Sequence, residues 1–225
     1  MSEETMLEDL LRGAMLGYIN QHRSGNLEEW STTPTVVTED IPDKVFGIRD
    51  VKGTSNSIKC APHTSEATYY NGDEKHQYVL RFIRYEEFIN QFRSYKENGQ
   101  IDKDWTKNLS RPDYMAYDVS GQKHCMIIHE LSQGNIRNKH KDGKKQLLNT
   151  VLLLSKIPEF QSFLNEFQGN CYCFLSAQGC VDVTPNNMAD SFMEIYKKLP
   201  DPLPIDNSSI TKRGFKAFET KVIRL

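Results

Sequence analysis

Asp113 and Glu130 are the residues of this chain whose types and spacing best suggest chemistry. Each sits at the outer end of a strand-like run, Tyr114 to Val119 and His124 to Leu131. The runs are joined by Ser120-Gly121-Gln122-Lys123. A glycine at the first central position is what a type II′ hairpin turn requires, so the sequence predicts a two-residue Gly121-Gln122 loop. Counting back from Ser120 paired with Lys123 places Asp113 directly opposite Glu130. Directly opposed residues share a face with Cβ atoms about 4.5–5.5 Å apart, close enough for two carboxylates to grip one divalent cation. Ser132 falls on the same face as Glu130, and Met115, Tyr117, Met126 and Ile128 fill the rest of it.

Pro112-Asp113, a hairpin, and then Glu130-Leu131-Ser132 resembles the PD-(D/E)XK nuclease signature over roughly residues 110 to 177, with Ser132 where the family usually carries lysine. The resemblance implies a restriction-endonuclease-like α/β core: a central mixed sheet flanked by helices, in the order helix, three mainly antiparallel strands, helix, strand. It implies that Asp113 and Glu130, helped by the Leu131 carbonyl, bind Mg²⁺ or Mn²⁺ and that DNA phosphodiester bonds are hydrolysed, as in prokaryotic defence or repair. Hard oxygen ligands suit such a cation, which neutralises phosphate charge and acidifies water. Gln146 matches a site glutamine found in some branches, and Glu8 or Asp9 an acid supplied by the first helix in others. Serine at position 132 brings no positive charge, so a basic residue such as Lys139, Lys144 or Lys145 has to reach in, or the site is weakened. The alternative is a catalytically degenerate subunit of the same fold, serving as a protein-interaction module in a larger complex.

The elements that must position these residues are legible in outline. A chain of 225 residues with 38% apolar and aromatic residues and 26% charged ones suits one α/β domain over 1–225, with its core at about 78–180. Residues 3–22 read as an amphipathic helix, and 24–75 as an irregular insertion broken by Pro34, Pro42 and Pro62 in which Thr35 to Thr38 and Val45 to Val51 are short-strand candidates. Tyr78 to Ile83 reads as a strand and Glu86 to Tyr95 as a helix ending at Asn98-Gly99. Helices are expected at Gly143 to Lys156, from Pro158, and at Asn187 to Leu199, a buried strand at Cys171 to Ala177, and an edge strand in Phe215 to Leu225.

Arg137, Lys139, Lys141, Lys144, Lys145 and Lys156 face only Asp142 as a local acid, although the net charge is -2. The loop leaving Glu130 would therefore carry Arg137, Lys141, Lys144 and Lys145 toward a phosphate backbone. The expected partner is DNA, with a protein subunit or a second copy left open. An acidic N-terminus, no apolar run near the ~20 residues of a membrane span, and five cysteines without a framework pattern point to a cytoplasmic protein with no membrane association. Cys171 and Cys173 share a buried face with Leu175, Cys60 and His63 lack further zinc ligands, and His129 faces away from Glu130 by strand parity. No glycine-rich nucleotide loop is present.

Overall fold

The computed structural model describes residues 6–22, 34–51, 56–72, 76–92, 109–132, 136–167, 169–177 and 201–225. The side chains of Ser132, residues 136–139 and Ala177 lie outside that description. So does the helix expected at Asn187 to Leu199.

Seven strands form a mixed sheet in the order β1 (Thr38–Ile41), β5 (Leu80–Arg84), β6 (Tyr114–Asp118), β7 (Met126–Ser132), β8 (Cys171–Ala177), β10 (Phe215–Glu219) and β9 (Leu203–Pro204). From β1 to β7 neighbours run antiparallel, whereas β7, β8 and β10 run parallel. Strand β7 reaches β8 through the helices α4 (Ile136–Leu154) and α5 (Pro158–Asn165), the crossover that a parallel neighbour demands. Helix α3 (Tyr85–Asn90) follows β5 directly, and α6 (Ser208–Thr211) precedes β10.

The sheet is buried on both faces, which is why its central strands are apolar without alternating. One face carries Met115, Tyr117, Met126, Ile128, Cys173 and Leu175, packed against α4, α5 and the N-terminal helix. That helix comprises α1 (Leu7–Leu10), a π turn over Leu11–Met15, and α2 (Leu16–Gln21). The other face carries Tyr114, Ala116, Ile127 and Phe174, packed against a four-stranded sheet ordered β11 (Val222–Arg224), β4 (Ala67–Tyr70), β2 (Val45–Ile48) and β3 (Lys59–Cys60). Phe82 of the large sheet packs edge-on against Phe46 and Tyr69 of the small one, centroids 6.0 and 5.4 Å apart. Such pairs add about 0.5–1.5 kcal/mol each beyond buried area. Helices therefore flank one face, and a second sheet covers the other.

Several expectations change. The supposedly irregular 24–75 stretch supplies β1 to the large sheet and β2, β3 and β4 to the small one. The C-terminal segment divides at Thr220: β10 is an interior strand of the large sheet, and β11 closes an edge of the small one. Helix α4 begins seven residues before Gly143, so Arg137, Lys139 and Lys141 lie on its first turns and not in a loop. The hairpin register is as expected, Tyr114 pairing with His129 and Tyr117 with Met126, but the connection is longer than two residues. Ladder bonding closes at Asp118 N–H to the Cys125 carbonyl. The buried Asp118 carboxylate then accepts the backbone N–H groups of Ser120 and His124, with Gly121 and Lys123 both at positive φ. A short loop at 121–122 and a longer one at 119–124 share one centre, so the partners are the same. Among the described residues no helix is long and apolar enough to cross a membrane.

Candidate metal centre

The ladder ends at Tyr114–His129; continued by one residue, its register sets Asp113 opposite Glu130, and Asp113 is among the acids that raise the Glu130 pKa. Asp113 Oδ2 accepts the Leu131 N–H at 2.5 Å, tying the first acid to the main chain beside the second. The Asp113 carbonyl in turn accepts the N–H groups of Tyr85 and Glu86, where β5 gives way to α3. The mouth of the hairpin is thus anchored on three elements.

Glu130 is only 8% exposed, and helix α4 lies directly over it. Gly143 is the point of closest approach: a Cβ there would lie 2.7 Å from Leu175 Cδ1 and 3.2 Å from Glu130 Cγ. One turn further on, the Gln146 side-chain amide donates to Glu130 Oε1 at 2.9 Å. Its own oxygen accepts the Arg111 N–H at 3.1 Å, which fixes which end of the amide faces Glu130. Among the described residues, the buried Glu130 Oε2 has no hydrogen-bond partner.

Both carboxyls are held above the ordinary carboxylate range. For Asp113 the chief cause is burial, opposed by the Leu131 N–H and reinforced by Asp50, Glu86 and Glu66. For Glu130 burial again leads, followed by Asp113 and Glu86, with the Asp113 backbone N–H pulling the other way. Among the described residues, the principal influences on the two acids include no lysine or arginine side chain. Desolvating two carboxyls beside three more acids is costly unless protons or a cation occupy the site.

Among the described residues no group of three or more His, Cys, Asp or Glu side chains is gathered to hold a metal ion. Two carboxylates are nevertheless a fitting donor set for Mg²⁺, which keeps several waters and takes one or two carboxylates from the protein. The unbonded Glu130 oxygen agrees with that use.

Of the residues singled out from sequence, the structure brings together Asp113, Glu130, the Leu131 backbone and Gln146. It does not bring Lys144 to the pair: its ammonium lies 3.7 Å from Glu219. Lys141 and Lys145 are exposed. The side chains of Ser132, Arg137 and Lys139 lie outside the described residues. Glu8 is committed elsewhere, bonded to Arg81 at 3.0 Å and to the Tyr117 hydroxyl at 2.6 Å. Tyr117 is four residues along β6 from Asp113, about 13 Å of strand. Sequence reasoning missed Asp50, Glu66 and Glu86, which no local pattern links to Asp113. It also missed Gly143, whose position inside a helical pattern was the available signal.

No family model matches the sequence, and neither a curated protein nor a solved structure matches the chain.

Proposed function

We propose that this protein is a metal-dependent endonuclease with a restriction-endonuclease-like core, hydrolysing DNA phosphodiester bonds at the Asp113–Glu130 pair. The observation that carries the reading is the pair itself: two neighbouring acids at the mouth of the hairpin, both raised chiefly by burial, with one Glu130 oxygen buried and without a hydrogen-bond partner among the described residues. Part of the order of elements supports it: β5, β6, β7, α4 and β8 follow the strand-strand-strand-helix-strand order of the family's core, with β1 to β4 lying between the N-terminal helix and β5, and α3 between β5 and β6.

In this reading Asp113, Glu130 and the Leu131 carbonyl hold Mg²⁺ or Mn²⁺. The cation, when bound, supplies positive charge against the phosphate and acidifies water. Leu131 N–H fixes Asp113, Gln146 fixes Glu130, and Gly143 lets α4 close over them and exclude solvent. The exposed Lys141 and Lys145 on α4 supply sequence-independent attraction for the DNA backbone.

A specific observation favours the second reading, a catalytically degenerate subunit that acts through protein contacts: serine stands at position 132, and among the described residues no lysine or arginine is a principal influence on either acid. Incubating the purified protein with plasmid, linear and single-stranded DNA in Mg²⁺ or Mn²⁺ separates the two. Cleavage lost in Asp113→Ala and Glu130→Ala supports the enzyme. DNA left intact by the unaltered protein under every condition would sink it.

A further inference from the structure

A concavity lies further along α4 from the metal pair, where that helix meets α2 and the corner leading into α5. Asn149, three residues after Gln146, lines it together with Ile19, Leu109, Leu152 and Leu153. Its volume is 460 Å³, within the range of sites that hold small organic ligands. Ile19 and Leu153 are 2% and 6% exposed, so the floor is made by side chains that belong to the core. The cavity opens into a wider groove, which shares Tyr18, His22 and Lys156 with it and passes over Ala14 and Gly17. A Cβ at Gly17 would meet nothing within 4 Å, so at that point the described residues leave the groove unfilled.

One wall is a flat aromatic pair. Tyr18 and His22, four residues apart on one helical face, stack with ring centroids 3.9 Å apart and planes 20° from parallel. The Tyr18 carbonyl can only accept, so His22 Nδ1 carries the proton of their 2.8 Å bond and the ring is fixed with Nε2 as its remaining polar atom. A wall ordered in advance spares a ligand part of the entropy cost of binding. The polar lining is one-sided in charge: His22 and Lys156 are basic, Asn149 offers an amide, and among the described residues no acid lines the cavity. Glu159 borders only the outer groove. The Lys156 ammonium is exposed and hydrated, and its stem belongs to the lining, so it gives an apolar, aromatic slot a positive end.

We infer that this cavity binds a small planar aromatic acid, its ring stacked on the Tyr18–His22 wall and its anionic group at the Lys156 end. An aromatic ring supplies both a face for stacking and an apolar body for Ile19, Leu109 and Leu153. An anionic group distinguishes that ligand from a neutral hydrocarbon, because only the anion gains from two bases with no acid between them. The inference stands apart from the nuclease reading, and its test needs neither metal nor cleavage.

The probe is anilinonaphthalene sulfonate, titrated by fluorescence into the full chain in chelator, beside phenylnaphthylamine, which has the same rings and no charge. The sulfonate is expected to bind at one equivalent per chain and more tightly than the neutral amine. Lys156→Glu is expected to weaken the sulfonate about three- to tenfold and to leave the amine unchanged. Gly17→Leu puts a better helix former into open space, so it is expected to keep the melting temperature while weakening both probes by filling the groove. Lys212→Glu, an exposed lysine just after α6, is the control for net charge and is expected to alter neither probe. Absence of binding overturns the inference, as do two or more equivalents per chain, which mark adsorption to apolar surface at large. A loss in Lys212→Glu equal to that in Lys156→Glu overturns it too, as does unchanged binding of both probes in Gly17→Leu. An equal loss of both probes in Lys156→Glu would remove the anionic half of the ligand assignment and with it the inference.

Discussion

His129 and Glu130 are neighbours in β7, and strand geometry sends their side chains to opposite faces of the same sheet. On the face toward the small sheet, every polar atom of the histidine is satisfied. Ser176 gives its hydroxyl proton to the Thr220 carbonyl, so it receives the His129 Nε2 proton at 2.8 Å. Nδ1 is then the acceptor, taking the Tyr69 hydroxyl proton at 2.7 Å. The ring is fully buried and neutral, its pKa lowered to about 3 by desolvation. On the helix face Glu130 has one oxygen bonded, one buried and without a partner among the described residues, and a second acid beside it. The first arrangement closes on itself and needs nothing more. The second is incomplete, and an incomplete buried polar group inside a fold is where a ligand is expected.

The contrast breaks first under substitution. His129→Ala leaves Ser176 and Tyr69 without their partner and opens a cavity, so it is expected to cost about 2–4 kcal/mol. Mn²⁺ affinity of the molecules that remain folded should be unchanged. Glu130→Gln should do the reverse, gaining about 1–2 kcal/mol at neutral pH by removing an acid that burial penalises, while abolishing Mn²⁺ binding. Denaturant unfolding in chelator and calorimetric titration read the two quantities. Equal destabilisation by both substitutions would show that the faces do not differ in kind.

Gly143→Ala tests how closely the helix face is built. In a free helix alanine gains about 1 kcal/mol over glycine. Here the added methyl would sit 2.7 Å from Leu175 Cδ1, so overpacking is expected to reverse the sign, with a net loss of about 1–2 kcal/mol. Because the same methyl crowds Glu130 Cγ at 3.2 Å, metal affinity should fall with stability. A stabilised variant that binds Mn²⁺ normally would show that α4 does not clamp the pair.

What the sequence disclosed follows from the range of the interactions involved. The Asp113–Glu130 pairing was legible because it depends on a hairpin, whose centre is set locally by Gly121 whichever loop length is adopted. Strand β8 was legible at its full length from an apolar run bounded by turn residues. His129 was placed by parity alone. The small sheet was not legible: its strands are two to four residues long and its closing strand β11 comes from the far end of the chain. Asp50 and Glu66 arrive at the pair through that sheet, so they were invisible for the same reason. Gly143 misled because glycine in a helical pattern reads as a terminus, whereas here it marks a close approach.

The two faces also predict opposite responses to pH. The His129 pKa is lowered in the folded protein, so its contribution is present above the unfolded value of about 6.5 and is lost as pH falls toward about 3. The acid pair is raised, so its contribution is present below the unfolded values near 4 and is lost as pH rises through the folded ones. In chelator the stability difference between the unaltered protein and Glu130→Gln should therefore widen, to the disadvantage of the unaltered protein, as pH climbs from about 5 to 9. Mn²⁺ competes with protons for the same oxygens, so its stabilising effect should be larger at pH 9 than at pH 6. Melting curves across that range check both slopes, and parallel curves for the two proteins would remove the electrostatic half of the comparison.

The smallest effect is the most discriminating, because Gln146 belongs to the site without being one of its acids. Its oxygen is committed to Arg111 N–H and its amide to Glu130, so it sets the direction in which the free Glu130 oxygen points. Gln146→Leu keeps the bulk and removes both bonds; loss of an outer positioning partner typically costs about tenfold in metal affinity. Gln146→Glu keeps an acceptor for Arg111 but sets a third carboxyl against Glu130. It is therefore expected to lower stability in chelator and to enlarge the melting shift that Mn²⁺ produces. A purely structural glutamine would give the same deficit in both variants, with no dependence on the cation. A divergence of the leucine and glutamate variants in Mn²⁺ that differs from their divergence in chelator would mark Gln146 as the residue that orients the incomplete face of β7.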